Sequence, residues 1–169
     1  IISAFSKIKN VKKSITPQLI DNNELSLVYL DLSKTKKRLG GSIFSEVTQQ
    51  TNLETPNLEF IDEFPKIYNY LATKINKKRI FSFHDISDGG LIVSAVEMML
   101  AGGCGLNLDL SKISFLKESS NLFSEELGLL FQIKKKDFSE FKKDFIKLGL
   151  KNSFFNIGST NNTNNLFLK

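Results

Sequence analysis

With 169 residues, 41% of them hydrophobic and 24% charged, the chain has the size and composition of one globular domain with a real core, which excludes a disordered polypeptide. A single cysteine, Cys104, excludes an internal disulfide, and a single histidine, His84, excludes a site needing two imidazoles. The net charge of +5 is spread over scattered lysines, and the densest run, Lys34 to Arg38, carries no aromatic residue for base stacking. A solvated basic loop is favoured there, with an anionic ligand or partner second and no nucleic acid. No apolar run approaches a membrane span, and the first ten residues lack the charged-then-apolar order of a signal peptide, so the expectation is a soluble, cytoplasmic protein.

In chain order, Ile1 to Phe5 is strand-like, and the abrupt start suggests a domain cut from something longer. Leu25 to Leu32 predicts a strand, and Leu39-Gly40-Gly41-Ser42 leads into a helix over Ile43 to Gln50 with Ser42 as N-cap. From Asp62 an amphipathic helix follows, with Phe64, Ile67, Leu71 and Ile75 on one face and Pro65 in the first turn. Ile80 to Phe83 predicts a buried strand and Leu91 to Ala101 a helix stopped by Gly102 and Gly103. Leu106, Leu108 and Leu110 alternate as a half-buried strand, Ser111 to Leu122 reads as a loop, and Leu129 to Ile133 as a further strand. Asp137 and Glu140 have capping-box spacing before a helix striped by Phe138, Phe141, Phe145 and Leu148. Phe154 to Ile157 and Leu166 to Leu168 are predicted to pair as a hairpin across residues 161–165. The mixture gives an α/β (α+β) fold, helices packed on a mixed sheet, as a single domain over 1–169.

The stretch Phe83-His84-Asp85-Ile86-Ser87-Asp88-Gly89-Gly90 organises the rest. A strand that ends in carboxylate, hydroxyl and two glycines and then turns into a helix makes a polar site where unpaired amides and the helix dipole favour anions. A carboxylate beside them is a hard ligand for Mg²⁺, so nucleotide phosphate plus metal is one reading. A tight turn capped by Asp88 or Ser87 is the other. The adjacent Glu125 and Glu126 point to opposite faces if extended, which argues against an acid/base dyad and for a structural or interface role. No GxxxxGK[ST] or GxGxxG motif is present, which disfavours the common mononucleotide and dinucleotide folds.

TPQL at Thr16 to Leu19, LGGS at Leu39 to Ser42, HDISDGGL at His84 to Leu91, VEMMLAGGCG at Val96 to Gly105 and FSEELG at Phe123 to Gly128 come in one order. Together they resemble the large, single-chain phosphoribosylformylglycinamidine synthases, the formylglycinamide ribonucleotide amidotransferases of purine biosynthesis. The resemblance spans nearly the whole chain and is to the second C-terminal-type domain of the synthetase half, with a fold like the C-terminal domain of aminoimidazole ribonucleotide synthetase.

The resemblance implies an ATP- and glutamine-dependent ligase that replaces an amide oxygen by an amidine nitrogen. This domain would contribute one side of an auxiliary Mg-nucleotide site, and the isolated piece, lacking the glutaminase nucleophile motif, would be inactive. Asp85 is implied as the Mg²⁺ ligand and Ser87 as the contact to ATP or ADP, with no catalytic residue here. An adjacent N-terminal-type synthetase domain and the glutaminase domain of the parent chain are the implied partners. For His84 a structural role is favoured over orienting the carboxylate, Asp88 is expected as a helix cap, and Arg38 to Ser42 is a looser phosphate candidate. The alternatives are a non-catalytic assembly domain or another ATP-dependent enzyme of the same superfamily.

Overall fold

Leu25–Asp31 forms β1, and all seven residues are buried, because the strand lies inside the sheet with both faces covered. In this computed structural model, residues 3, 5–8, 10–113 and 118–169 are described. The other strands are β2 (Phe83–Asp85), β3 (Gly105–Leu108), β4 (Gly128–Lys134), β5 (Phe154–Asn161) and β6 (Leu166–Leu168). They form one six-stranded sheet in the order β2-β4-β1-β5-β3-β6. β1 pairs antiparallel with β4 from Leu25↔Lys134 to Asp31↔Gly128, and with β5 through a bulge between Leu27 and Val28. β6 runs parallel to β3.

Alternation along the central strands sends Leu27, Tyr29 and Leu130 to one face and Val28, Leu30, Phe131 and Ile133 to the other. On the first face lies α3 (Gly90–Gly102), whose Leu91, Ala95 and Met98 are buried; on the second lie α2 (Phe64–Asn76) and α5 (Phe138–Lys147). Ile67 and Leu71 of α2 and Phe141 and Phe145 of α5 are the buried stripes that the helical spacing predicts. Two short helices, α1 (Ile43–Val47) and α4 (Glu118–Phe123), flank the end of the sheet. The rings of Phe44 and Phe123 stack there at 4.9 Å. Among the described residues no helix is long and apolar enough to cross a membrane.

Several expectations are corrected. The C-terminal strands do not form a hairpin with each other, because β3 lies between them and pairs with both. The 161–165 connection therefore steps over a strand. Asp137 and Glu140 make no capping box: Asp137 gives α5 no side-chain cap, and both carboxylates instead accept from the Arg79 guanidinium. Part of the expected 111–122 loop is α4, while residues 114–117 lie outside the described residues. The strand expected over Ile80 to Phe83 enters the sheet later, at Phe83, although Phe81 and Ser82 already exchange backbone hydrogen bonds with Gln132. Of the strand-like start, Ile1, Ile2 and Ala4 lie outside the described residues, and Phe5 belongs to no strand and is fully open to solvent.

Candidate functional site

The FHDISDGG segment ends an edge strand. Phe83, His84 and Asp85 of β2 pair with Phe131, Leu130 and Leu129 of β4, and the ladder is extended by the Ile86 amide donating to the Gly128 carbonyl. Ile86 then buries its side chain on the α3 face of the core. That packing requires Gly128, where an added Cβ would lie 2.8 Å from the Tyr29 ring and 2.9 Å from Ile86. After Ile86 the Gly90 amide donates to the Ser87 carbonyl, closing a tight turn through Gly89 at φ 86° and Gly90 at φ 76°, a region that L side chains rarely adopt. Gly90 is required twice, since a Cβ there would stand 2.6 Å from the backbone of Phe123.

The helix cap is not the one the sequence predicts. Gly89 occupies the N-cap position of α3 with no side-chain cap of its own. Its amide instead donates to Glu125 Oε1 at 2.8 Å. The same oxygen accepts from the Ile43 amide at 2.9 Å, the first residue of α1. One carboxylate thus supplies the negative charge favoured at two helix starts, brought together from turns more than forty residues apart. The Ser42 expectation is met, since its Oγ accepts from the Ser45 amide at 3.2 Å. The Ile43 and Ser45 amides are thus both engaged, and within the Arg38 to Ser42 segment the Gly40 and Ser42 amides donate to the Glu54 and Leu39 carbonyls.

Glu126 faces the other way, as extended neighbours do. It is 1% exposed and holds Arg38 in a two-pronged pair through Nε to Oε1 and through Nη2 to Oε2 at 2.9 Å. Hydrogen bonding to Glu126 raises the Arg38 pKa further above its usual range. Beside it, Lys37 is buried with its ammonium 2.7 Å from Asp31 Oδ2, 3.0 Å from the Tyr29 hydroxyl and 3.2 Å from Ser33 Oγ. All three donors are used, which is what a buried lysine requires. Burial first, then the Asp31 charge, pushes the Tyr29 phenol well above its usual pKa. The basic run is therefore an anchored loop, with Lys37 and Arg38 inside it and Lys34 and Thr35 at positive φ on its tip.

Around the turn itself the side chains converge. His84 Nδ1 lies 2.7 Å from the Asp85 carbonyl and 3.2 Å from Asp85 Oδ1, and its Nε2 lies 3.3 Å from Glu97 Oε2. The Ser87 amide donates to Ser94 Oγ at 3.1 Å, and the two hydroxyls stand 3.3 Å apart. The Asp85 carboxylate is 68% exposed. Cys104 is buried away from these groups, with burial pushing its thiol pKa up.

Two members of this cluster, Ser94 and Glu97, had no role in the sequence expectations. The signal was present: Glu97 is the one charged residue of α3, and it stands one turn from Ser94 on a helix that is otherwise apolar apart from that serine.

As a metal centre, the residues fit a partial site. Asp85 offers an exposed hard oxygen ligand and Ser87 a hydroxyl nearby, whereas among the described residues no group of three or more His, Cys, Asp or Glu could hold an ion alone. That pattern suits Mg²⁺, which takes one or two protein carboxylates and fills its shell with phosphates and waters.

Residues 25–169 match the family model described as AIR synthase related protein, C-terminal domain. The chain is 38% identical over 136 residues to a protein of Arabidopsis thaliana named probable phosphoribosylformylglycinamidine synthase, chloroplastic/mitochondrial, covering 80% of this chain and 10% of that protein. Among solved structures, T. maritima PurL complexed with FGAR aligns with a TM-score of 0.67 at 12% identity, over 89% of this chain and 26% of PurL. E. coli HypE, a hydrogenase maturation protein, aligns at 0.61 and 14% identity, over 92% of this chain and 49% of HypE. At such identities the likeness is one of fold. The chain spans about a tenth of the length of its plant relative, and with the family model matching nearly all of the sheet and its helices, it belongs to the AIR synthase related C-terminal domain family.

Proposed function

We propose that this chain is the second C-terminal-type synthetase domain of a phosphoribosylformylglycinamidine synthase, and that it contributes one wall of an auxiliary Mg-nucleotide site. The parent would be the ATP- and glutamine-dependent ligase that converts formylglycinamide ribonucleotide to formylglycinamidine ribonucleotide. The observation that carries the site is the exposed Asp85 carboxylate beside Ser87 at the end of an edge strand, held by a turn with two left-handed glycines. The 38% identity to the plant synthase supports the parent activity, and T. maritima PurL complexed with ATP, of the same fold, supports the nucleotide.

In this reading Asp85 holds the metal and Ser87 contacts the nucleotide. Mg²⁺ bound there would neutralise phosphate charge. His84, set between Asp85 and Glu97, orients the ligand carboxylate from the strand side. Ser94 fixes the Ser87 backbone, and Glu125 fixes that of Gly89. The remaining ligands would come from an adjacent N-terminal-type domain of the parent, which also carries a glutaminase domain. The expectation of a cytoplasmic protein stands beside a plant relative whose own name is organellar.

The test is thermal denaturation of the chain with Mg-ADP. Saturation a hundredfold above Kd should stabilise it by about 2.7 kcal/mol, and Asp85→Ala should abolish the shift. An unchanged melting temperature at millimolar Mg-ADP would favour the non-catalytic assembly role.

A further inference from the structure

A lysine-rimmed groove lies at the same end of the sheet as the Asp85 turn. Strand register places it there: the last residues of β1 pair with both the first residues of β4, next to Asp85, and the first residues of β5. The two regions are three strands apart, roughly 14 Å at the usual spacing. The groove has a volume of about 690 Å³ and is lined by Lys112, Lys142 and Lys151 around Phe138, Phe154 and Phe155, with Asn156 beside them.

Three elements deliver these lysines: the segment after β3, the outer face of α5, and the turn between α5 and β5. No carboxylate among the described residues lines the groove. Among the described residues Lys142 and Lys151 have no ion pair, whereas Lys36, Lys37, Lys74, Arg38 and Arg79 are all paired. Asp109, near Lys112, has its pKa lowered mainly by its bonds from Ser111 and to a lesser degree by the Lys169 and Lys112 charges. Three exposed lysines around one concavity give it a positive potential that is complementary to an anion. Of the aromatic residues lining it, Phe138 is half-buried and held in place, because it stacks at 5.1 Å on the buried Phe154, which packs against Phe145 at 4.8 Å. The volume falls within the usual range for small-molecule sites.

We propose that this groove binds a nucleoside phosphate, with the phosphate among the three ammonium groups and the planar base against the Phe138 ring. It is a separate site from the Asp85 turn and needs no metal. The probes are AMP, adenosine and inorganic phosphate, titrated without Mg²⁺ into the chain at low salt and followed by backbone amide NMR shifts.

AMP should shift the residues of the 151–156 turn and the start of α5, and Lys142→Glu with Lys151→Glu should weaken it roughly tenfold or more. Asp85→Ala should leave AMP binding unchanged, which separates this site from the proposed Mg-nucleotide site whichever of the two fails. Inorganic phosphate should bind more weakly than AMP at the same residues. Equal affinity for phosphate and AMP would remove the base from the proposal and overturn it, as would AMP shifts confined to the Asp85 turn. An affinity unchanged by the double charge reversal, with the variant's melting temperature retained, would overturn it as well.

Discussion

The two faces of the sheet are built from different materials. Under α2 and α5 the core is aromatic: Phe131, Phe141, Phe145 and Phe154 meet at centroid distances of 4.8 to 6.4 Å. Under α3 it is mostly aliphatic and small, with Leu91, Ala95, Met98 and Cys104 over Leu27 and Leu106 beside the Tyr29 ring, and glycines set the approach of the backbone. Gly90 lies on the backbone of α4, and Gly102 would place a Cβ 2.6 Å from the Leu19 carbonyl. Bulk fills the face remote from the turn, and close approach shapes the face that carries it. The lesson is that stability and site geometry are largely delegated to opposite sides of one sheet.

That division can be broken from either side. The largest effect is expected from Phe145→Ala, which empties a fully buried position among aromatic rings and should cost about 3–5 kcal/mol in urea denaturation. Its Mg-ADP response should survive wherever the chain stays folded. Gly90→Ala should be next. A left-handed alanine costs about 1–2 kcal/mol, and the forced contact with Phe123 adds about 1–3 kcal/mol. Here the turn must move, so the Mg-ADP shift should disappear along with the stability. A Gly90→Ala protein that kept its nucleotide response would collapse the proposed distinction between the faces.

Glu125→Ala should be smaller still, at about 1–3 kcal/mol for leaving the buried Gly89 amide without its acceptor. Hydrogen exchange should speed at the starts of both α1 and α3 while the aromatic face stays protected. The smallest effect is acid sensitivity on the aromatic side. Bonds from Lys74 and then Arg79 lower the Glu140 pKa from its ordinary 4.5 to about 2. A depressed carboxylate stabilises the fold above its unfolded pKa, so this contribution is present above pH 4.5 and is lost as pH falls toward 2. Glu140→Gln should therefore flatten the stability profile in that window, modestly because Glu140 is half exposed.

The parts of the fold legible in the sequence were those with their own periodicity. LSLVYLDL announces a buried strand, and the Phe141–Phe145 spacing a helix face, without reference to the rest of the chain. Where a partner comes from far away, local patterns misled. The 161–165 turn residues suit a hairpin, but they cannot register that β3, fifty residues earlier, takes the place between. Asp137 and Glu140 have the spacing of a capping box, yet Arg79 offers both a charged partner that the backbone amides cannot match. At the turn, HDISDGG pointed to the correct bend, but its cap comes from Glu125 on another segment. Glu97 went unassigned because its companions are neighbours only after α3 folds back past β2.

The ordering of the strands also governs how this domain can meet others. Both borders of the sheet, β2 and β6, are only three residues long, and the outer side of β2 is partly closed by the Thr16 carbonyl, which accepts from the Phe83 amide. Short, partly occupied rims give an incoming chain little backbone to zip onto. Neighbours should therefore engage this domain through the loops crowded at one end of its strands, in a socket-like contact, and lateral polymerisation through shared strands is disfavoured by construction.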